Sequence, residues 1–237
     1  MTAAKSGDRF LLRIEDIDRA RCRPEYEAAI LEDLAWLGLR WEKPVLRQSK
    51  RAQVYREALE RLAPFTYRCF CTRKDILSAA GAPHGDEGPL YPGTCRNLRE
   101  ERDAPCAIRL DAAKAAAHVG PLTFEERGLT DRVDPFRLGD VVIARKELPA
   151  AYHLAAVVDD ACQGVTLVTR GEDLLASTHV QRLLQALLGL PAPAYAHHRL
   201  IVDAQGRKFS KREASGTLRS LREEGLTASE IRAKIAL

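Results

Sequence analysis

Residues 152–189 read YHLAAVVDDACQGVTLVTRGEDLLASTHVQRLLQALLG. The stretch divides into a helix over about 152–162, a strand over 165–169, and a second helix capped near Ser177 and ended by Gly189. Apolar residues at helical spacing, a short β-branched run and a closing glycine are the signals. Working outward, residues 9–14 (RFLLRI) form a short apolar run that predicts a buried strand ending in a carboxylate cluster. Pro24 opens a helix at its favoured first position and Gly38 closes it, with Tyr26, Ile30, Leu34 and Leu37 on its apolar face. Ser49 is expected to cap a second helix through about Leu62. Residues 67–71 read as extended, and Thr72 with Asp75 as a capping box. Residues 79–93 (AAGAPHGDEGPLYPG) carry enough Gly and Pro to be loop, and 106–110, 121–125 and 140–144 are expected strands. Strands alternating with helices predict an α/β fold with a parallel, doubly wound sheet. Residues 67–135 interrupt the rhythm and are expected to be an inserted subdomain, between a first part of the core at 1–66 and a second at 136–237.

At 237 residues the chain can bury one good core, or one core and a small insertion. Charged residues make up 30% and apolar residues 46%, and no apolar run approaches the ~20 residues of a membrane span. The N-terminal residues lack the apolar core of a signal peptide, so the cytoplasm is the expected compartment. A net charge of +4 is compatible with an RNA partner without identifying one. Of the six cysteines, Cys69, Cys71 and Cys95 cluster, a pattern that in a cytosolic chain points to metal rather than disulfides.

Lys208-Phe209-Ser210-Lys211-Arg212 sets two ammonium groups and a hydroxyl side by side. Such a loop suits a triphosphate that must shed pyrophosphate, because lysines follow the moving phosphates as point charges. Glu15, Asp16 and Asp18 lie just beyond the C-terminal end of a predicted strand, where open α/β sheets bind ligands. Carboxylates there can hold a substrate ammonium. Arg170, at the end of another predicted strand, can meet a carboxylate in bidentate geometry, and Tyr152 is the second candidate for holding the same molecule. Cys69, Cys71 and Cys95 supply three thiolates for a tetrahedral ion. The candidates for the fourth ligand are His84, Tyr91 and Cys106, and chemistry alone favours His84 or Cys106 because tyrosine is an uncommon ligand.

In their order along nearly the whole chain, Arg13-Ile14-Glu15-Asp16-Ile17-Asp18, Tyr152-His153 with Val157-Val158-Asp159-Asp160, Arg170-Gly171-Glu172-Asp173 and Lys208–Arg212 resemble the class I aminoacyl-tRNA synthetases of the glutamyl type. The resemblance implies a Rossmann-like doubly wound parallel sheet with an inserted zinc-containing subdomain. It implies that Glu15 contacts the α-amino group, that Tyr152 and Arg170 line the glutamate pocket, and that Lys208 and Lys211 act on ATP. Lys211 would touch the phosphates and Lys208 the departing pyrophosphate, with Mg²⁺ bridging the phosphates. Cys-x-Cys followed by Tyr91-x-x-x-Cys95 resembles the zinc site of the glutamyl-queuosine tRNA(Asp) synthetase subgroup, in which a tyrosine completes the set. Glutamate, ATP and tRNA(Asp) are then the expected partners of a monomeric ligase.

In that family the catalytic fold begins with a strand, a turn with a HIGH-type signature, and a helix. The sequence opens at Ala3-Ala4-Lys5-Ser6-Gly7-Asp8-Arg9, which resembles the end of that first helix. One βα element of roughly 30 residues is therefore expected to be lacking, leaving neighbouring strand edges unpaired and the activity compromised. The arginine that the family uses for the side-chain carboxylate lies in that element. A glutamyl-tRNA synthetase fragment, or a zinc-containing RNA-binding remnant without catalysis, are the alternative readings.

Overall fold

The computed structural model describes residues 8–18, 22–78, 84–85, 88–98, 102–145, 147–200 and 217–234. The RFLLRI run yields only a two-residue strand, β1 (Arg13–Ile14), followed by α1 (Pro24–Trp36) and by β2 (Leu46–Arg47), which pairs with β1 in parallel. Pro24 stands in the first turn of α1, where its missing N–H costs nothing. The apolar face expected of α1 is not covered: Tyr26 and Ile30 remain 54% and 48% exposed, and only Leu37, just past the helix, is buried. What faces α1 instead is polar. Glu32 pairs with Arg219 and Arg222 of a C-terminal helix, at 3.2 and 2.7 Å.

The second helix, α2 (Ala52–Leu62), starts two residues later than expected, with Arg51 rather than Ser49 before it. Ser49 is taken by another partner. Its N–H and hydroxyl both donate to the Asp16 carboxylate, at 2.9 and 2.6 Å, which ties the turn after β1 to the start of α2. Then come β3 (Thr66–Cys69) and α3 (Arg73–Ser78). The box before α3 forms as predicted: Thr72 N–H donates to Asp75 Oδ2 at 2.7 Å, and Asp75 N–H donates to Thr72 Oγ1 at 3.2 Å. Inside the expected loop, β4 (His84–Gly85) and β5 (Gly88–Pro89) form a small hairpin.

The remaining elements are β6 (Ala107–Leu110), α4 (Ala112–Val119), β7 (Thr123–Glu126), β8 (Leu129–Arg132), β9 (Val142–Arg145), α5 (Tyr152–Gln163), β10 (Leu167–Gly171), α6 (Leu175–Leu188), β11 (Ala194–His198), α7 (Leu218–Glu223) and α8 (Ala228–Lys234). The stretch 152–189 is helix, strand, helix. Its ends are sharp because Gly164 and Gly189 take the left-handed conformation (φ +65° and +61°) that lets the chain leave a helix without a Cβ clash. Ser177 does not cap α6; the helix has already begun at Leu175 after a 3₁₀ turn, and Ser177 is fully buried.

The sheets are mixed rather than wholly parallel. β10 and β11 pair in parallel across the α6 crossover, and β11 continues in parallel to β7. But β7 and β8 are joined by the two-residue turn Arg127-Gly128, which can only return antiparallel. A second sheet, β3-β6-β9, is antiparallel throughout. The core lies where α2, α4, α5 and α6 meet, around Tyr55, Leu62, Leu154, Val157, Leu183 and Leu184, with Leu110 and Ile143 from the β3-β6-β9 sheet. Each such side chain contributes about 1.5–3 kcal/mol by leaving water. Asp159 is fully buried there and accepts from Gln48 Nε2 (2.8 Å), Arg51 Nε (2.6 Å) and Tyr55 OH (2.7 Å), locking α5 to α2. Between residues 8–13 and 163–169 runs an open groove of about 720 Å³, with β1 paired only to β2 and β10 only to β11 among the described residues. No described helix is long and apolar enough to cross a membrane.

Candidate active site

The parallel register of β10 on β11 sets Arg170 opposite His197, and the register of β11 on β7 sets Tyr195 opposite Glu126. Tyr152 is the first residue of α5, and α6 passes Thr178 and Gln181 over the end of β10. The Arg170 guanidinium is the centre of this arrangement. Its Nη1 donates to Tyr152 OH at 3.2 Å and to Gln181 Oε1 at 2.8 Å, its Nη2 donates to Thr178 Oγ1 at 2.6 Å, and its Nε donates to His197 Nε2 at 3.0 Å. Arginine cannot accept a hydrogen bond, so His197 Nε2 must be the unprotonated nitrogen. The proton then sits on Nδ1, 2.6 Å from Glu126 Oε2. Burial pushes the His197 imidazolium below the usual histidine range; Glu126 opposes the shift, and the charges of Arg170 and Arg127 add to it.

Glu15 follows β1 and lines the open groove that separates β1 from β10. Arg13 bridges from it, with Nη2 3.2 Å from Glu15 Oε1 and Nη1 2.6 Å from Asp160 Oδ1. Burial works against the Arg13 charge, but Asp160, with Glu15 and Asp159, more than offsets it and raises the guanidinium above its ordinary value. Asp160 also feels the charge of Arg170. The structure thus joins Tyr152 and Arg170 by direct contact and brings Glu15 to the same region through Arg13 and Asp160. The Arg170 guanidinium, with four of its five N–H groups engaged by protein partners, stands on one side and the Glu15 carboxylate on the other, opposite charges that suit a zwitterionic ligand. Lys208 and Lys211 fall in 201–216, outside the described residues; β11 leads into that segment.

The cysteine cluster forms a second centre. Cys69 ends β3, Cys71 follows it, and Cys95 comes from a turn after β5; their sulfurs lie within 4.8 Å of one another. The Cys71–Cys95 separation is 3.6 Å, far beyond the roughly 2.05 Å of a disulfide. It is close to the ~3.8 Å edge of a tetrahedron with metal–sulfur bonds of ~2.3 Å. Tyr91 OH stands 3.6 Å from Cys71 Sγ and accepts from the Cys95 N–H at 2.8 Å. Burial, with help from the adjacent thiols, pushes the Cys71 thiol up to about 11, while the Cys95 thiol, despite burial, is held below its ordinary value by the Tyr91 hydroxyl and the Phe70 backbone; a cation there would stabilise the Cys71 thiolate. The trio can therefore hold a metal ion. Cys106 is not part of it; its sulfur accepts from Arg68 Nε at 3.3 Å, which removes it as a fourth ligand. The side chain of His84 lies outside what is described.

Sequence reasoning did not find Thr178, Gln181 or Glu126. The double histidine His197-His198, just before Lys208 and Lys211 in sequence, is a signal for a group near the nucleotide, whereas the structure sets His197 against Arg170. Glu126 gave none, because its place follows from strand register and not from any local pattern.

Comparison with known proteins places the chain in a family. Residues 1–236 match the family model for the catalytic domain of class I tRNA synthetases (E and Q). The chain is 48% identical over 254 residues to a glutamyl-Q tRNA(Asp) synthetase from Rhodobacter capsulatus, covering 99% of this chain and 90% of that protein. It is 45% identical to the protein of the same name from Nocardia farcinica, covering 97% of this chain and 73% of the relative. Among solved structures, the glutamate-tRNA synthetase of Elizabethkingia anophelis superposes with a TM-score of 0.66 at 27% identity, over 89% of this chain. The match spans 48% of that longer synthetase.

Proposed function

Since the chain belongs to the class I tRNA synthetases of the E and Q type, we propose that it is a ligase that activates glutamate with ATP and transfers it to queuosine of tRNA(Asp). The observation that carries the reading is the Arg170 guanidinium held against Tyr152 at one strand end, with Glu15 and its Arg13–Asp160 bridge lining the open groove beside β10. Glutamate binds there with its ammonium toward Glu15 and a carboxylate toward Arg170 and Tyr152. Its α-carboxylate oxygen attacks the α-phosphorus of ATP, and pyrophosphate leaves. A hydroxyl of queuosine then attacks the adenylate carbonyl and releases AMP. No protein nucleophile is required; the chain contributes alignment and charge stabilisation. Lys211 touches the ATP phosphates and Lys208 stabilises the departing pyrophosphate. Mg²⁺ enters with the nucleotide and needs few protein ligands.

Cys69, Cys71, Cys95 and Tyr91 hold a structural zinc in this reading, since four protein ligands leave no open position for chemistry. The sulfur spacing near the tetrahedral edge and the tyrosine hydroxyl beside it support that set.

The test is glutamate-dependent ATP–pyrophosphate exchange, followed by glutamylation of tRNA(Asp) with and without queuosine. Exchange with glutamate and esterification only of the queuosine-bearing tRNA support the proposal. Esterification of queuosine-free tRNA(Glu) instead would make the chain a glutamyl-tRNA synthetase catalytic core.

A further inference from the structure

We propose that Glu126 and His197 form a positioning relay that fixes the Arg170 guanidinium for a carboxylate of the amino-acid substrate. The inference rests on the assignment of Arg170 to the glutamate pocket. An arginine side chain has four rotatable bonds and swings readily unless something holds the plane of its head. Here three residues fix the Nη atoms, and the orientation of the plane is set from the other side, by Nε donating to His197 Nε2 at 3.0 Å. That bond exists only if the imidazole is neutral with its hydrogen on Nδ1. Glu126 selects this state. Its Oε2 accepts from Nδ1 at 2.6 Å while its Oε1 accepts from the His197 backbone N–H at 2.9 Å, so the carboxylate grips ring and main chain together. A carboxylate behind a histidine is a common way to fix tautomer and ring angle.

The surroundings hold the relay still. Arg127 and Gly128 both have positive φ (50° and 81°), so the β7–β8 turn begins at once after Glu126 and pins its backbone. Arg127 N–H donates to Tyr195 O at 2.9 Å, which locks that turn to β11. The Tyr195 ring stacks on the His197 ring at 6.1 Å with 8° between planes. Thr178 Oγ1, which accepts from Arg170, packs 3.3 Å from His197 Nε2, whose one lone pair is taken by Arg170 Nε. His197 and Thr178 are buried, so no solvent group replaces a lost partner. Neither Glu126 nor His197 is assigned a contact with the substrate; both act through Arg170.

Two measurements on the full chain test this. In ¹⁵N-histidine NMR at neutral pH, His197 is expected as the Nδ1–H tautomer with a bare Nε2; an Nε2–H tautomer or an imidazolium overturns the relay whether or not the protein is active. In pyrophosphate exchange, His197→Leu is expected to raise the KM for glutamate at least about tenfold, the scale of one lost bond to a charged group, with kcat and the KM for ATP within about threefold. His197→Gln, whose Oε1 falls where Nε2 was, is expected to restore the glutamate KM to within about threefold of wild type. Equal losses in both variants, with kcat and melting temperature falling together, would mark a purely structural role and refute the proposal. A wild type inert with glutamate would count against the assigned substrate, while the NMR result still decides the relay.

Discussion

Replacing Asp159 with asparagine isolates a carboxylate that is fully buried beside the core. Asp159 is fully buried and satisfies three donors: Gln48 and Tyr55 on Oδ2, and Arg51 on Oδ1. Asparagine can keep its single oxygen toward Gln48 and Tyr55, but its NH₂ then faces the Arg51 guanidinium, donor against donor. Arg51 already buries an Nη2 with no partner, and its side chain is only 17% exposed. Breaking a buried pair by removing one partner costs about 3–5 kcal/mol. Because Arg51 retains some access to water, we expect the low end, about 3 kcal/mol. For a domain of this size that lowers the melting temperature by about 6–12 °C. Alanine removes the other acceptor as well, and with about 1 kcal/mol for each further orphaned donor its cost rises to about 5 kcal/mol. Tyr55→Phe, which removes a single bond, should cost only about 1 kcal/mol. Urea unfolding and thermal melts of the three variants measure the series. An asparagine variant melting within about 2 °C of wild type would show that Arg51 finds another partner and that the hub does not hold α5 to α2.

Metal analysis of the purified chain should find close to one zinc, lost in Cys69→Ser; full occupancy in that variant would remove the cysteine trio as the site. If Tyr91→Phe keeps full affinity, the tyrosine is a neighbour rather than a ligand. Since burial holds His197 below the ordinary value of ~6.5, the KM for glutamate should stay flat at neutral pH and rise only in acid, as the ring protonates and can no longer accept from Arg170. The same depressed value makes the stability held by His197 complete above ~6.5 and progressively lost as pH falls below it. A glutamate KM that rises between pH 8 and 7 would contradict this. Lys211→Ala should slow glutamate-dependent exchange by about 10²-fold, the scale of one lost transition-state donor, with zinc content and melting temperature near wild type. Normal exchange in that variant would leave the lysine loop without a catalytic role.

What the sequence made legible was decided within a few residues. The stop at Gly189 and the Thr72–Asp75 box depend on groups one to four positions apart, and the structure has them where the pattern puts them. The failures share the opposite property. Ser49 has the chemistry of a cap, but Asp16, 33 positions away, competes for its hydroxyl and wins. The apolar spacing of α1 is a real face, yet spacing alone cannot say whether another element arrives to cover it. The mixed sheets follow from the same limit: a strand's partner is a long-range choice, and Arg127-Gly128 is short enough to turn but carries no flag in composition. The Arg170 site straddles the two cases. Arg170 and Tyr152 stand out because an arginine at a strand end and a tyrosine at a helix start are suggestive by themselves. Glu126 becomes relevant only when β7 docks beside β11, since nothing near it in sequence distinguishes it from Glu125. Yet Glu125 points away from the ring and Glu126 toward it, through the two-residue alternation of a strand. A slip of one residue in that register would exchange them and leave His197 without its carboxylate. The orientation of the proposed substrate-binding guanidinium therefore depends on strand register, which is a property of the fold as a whole.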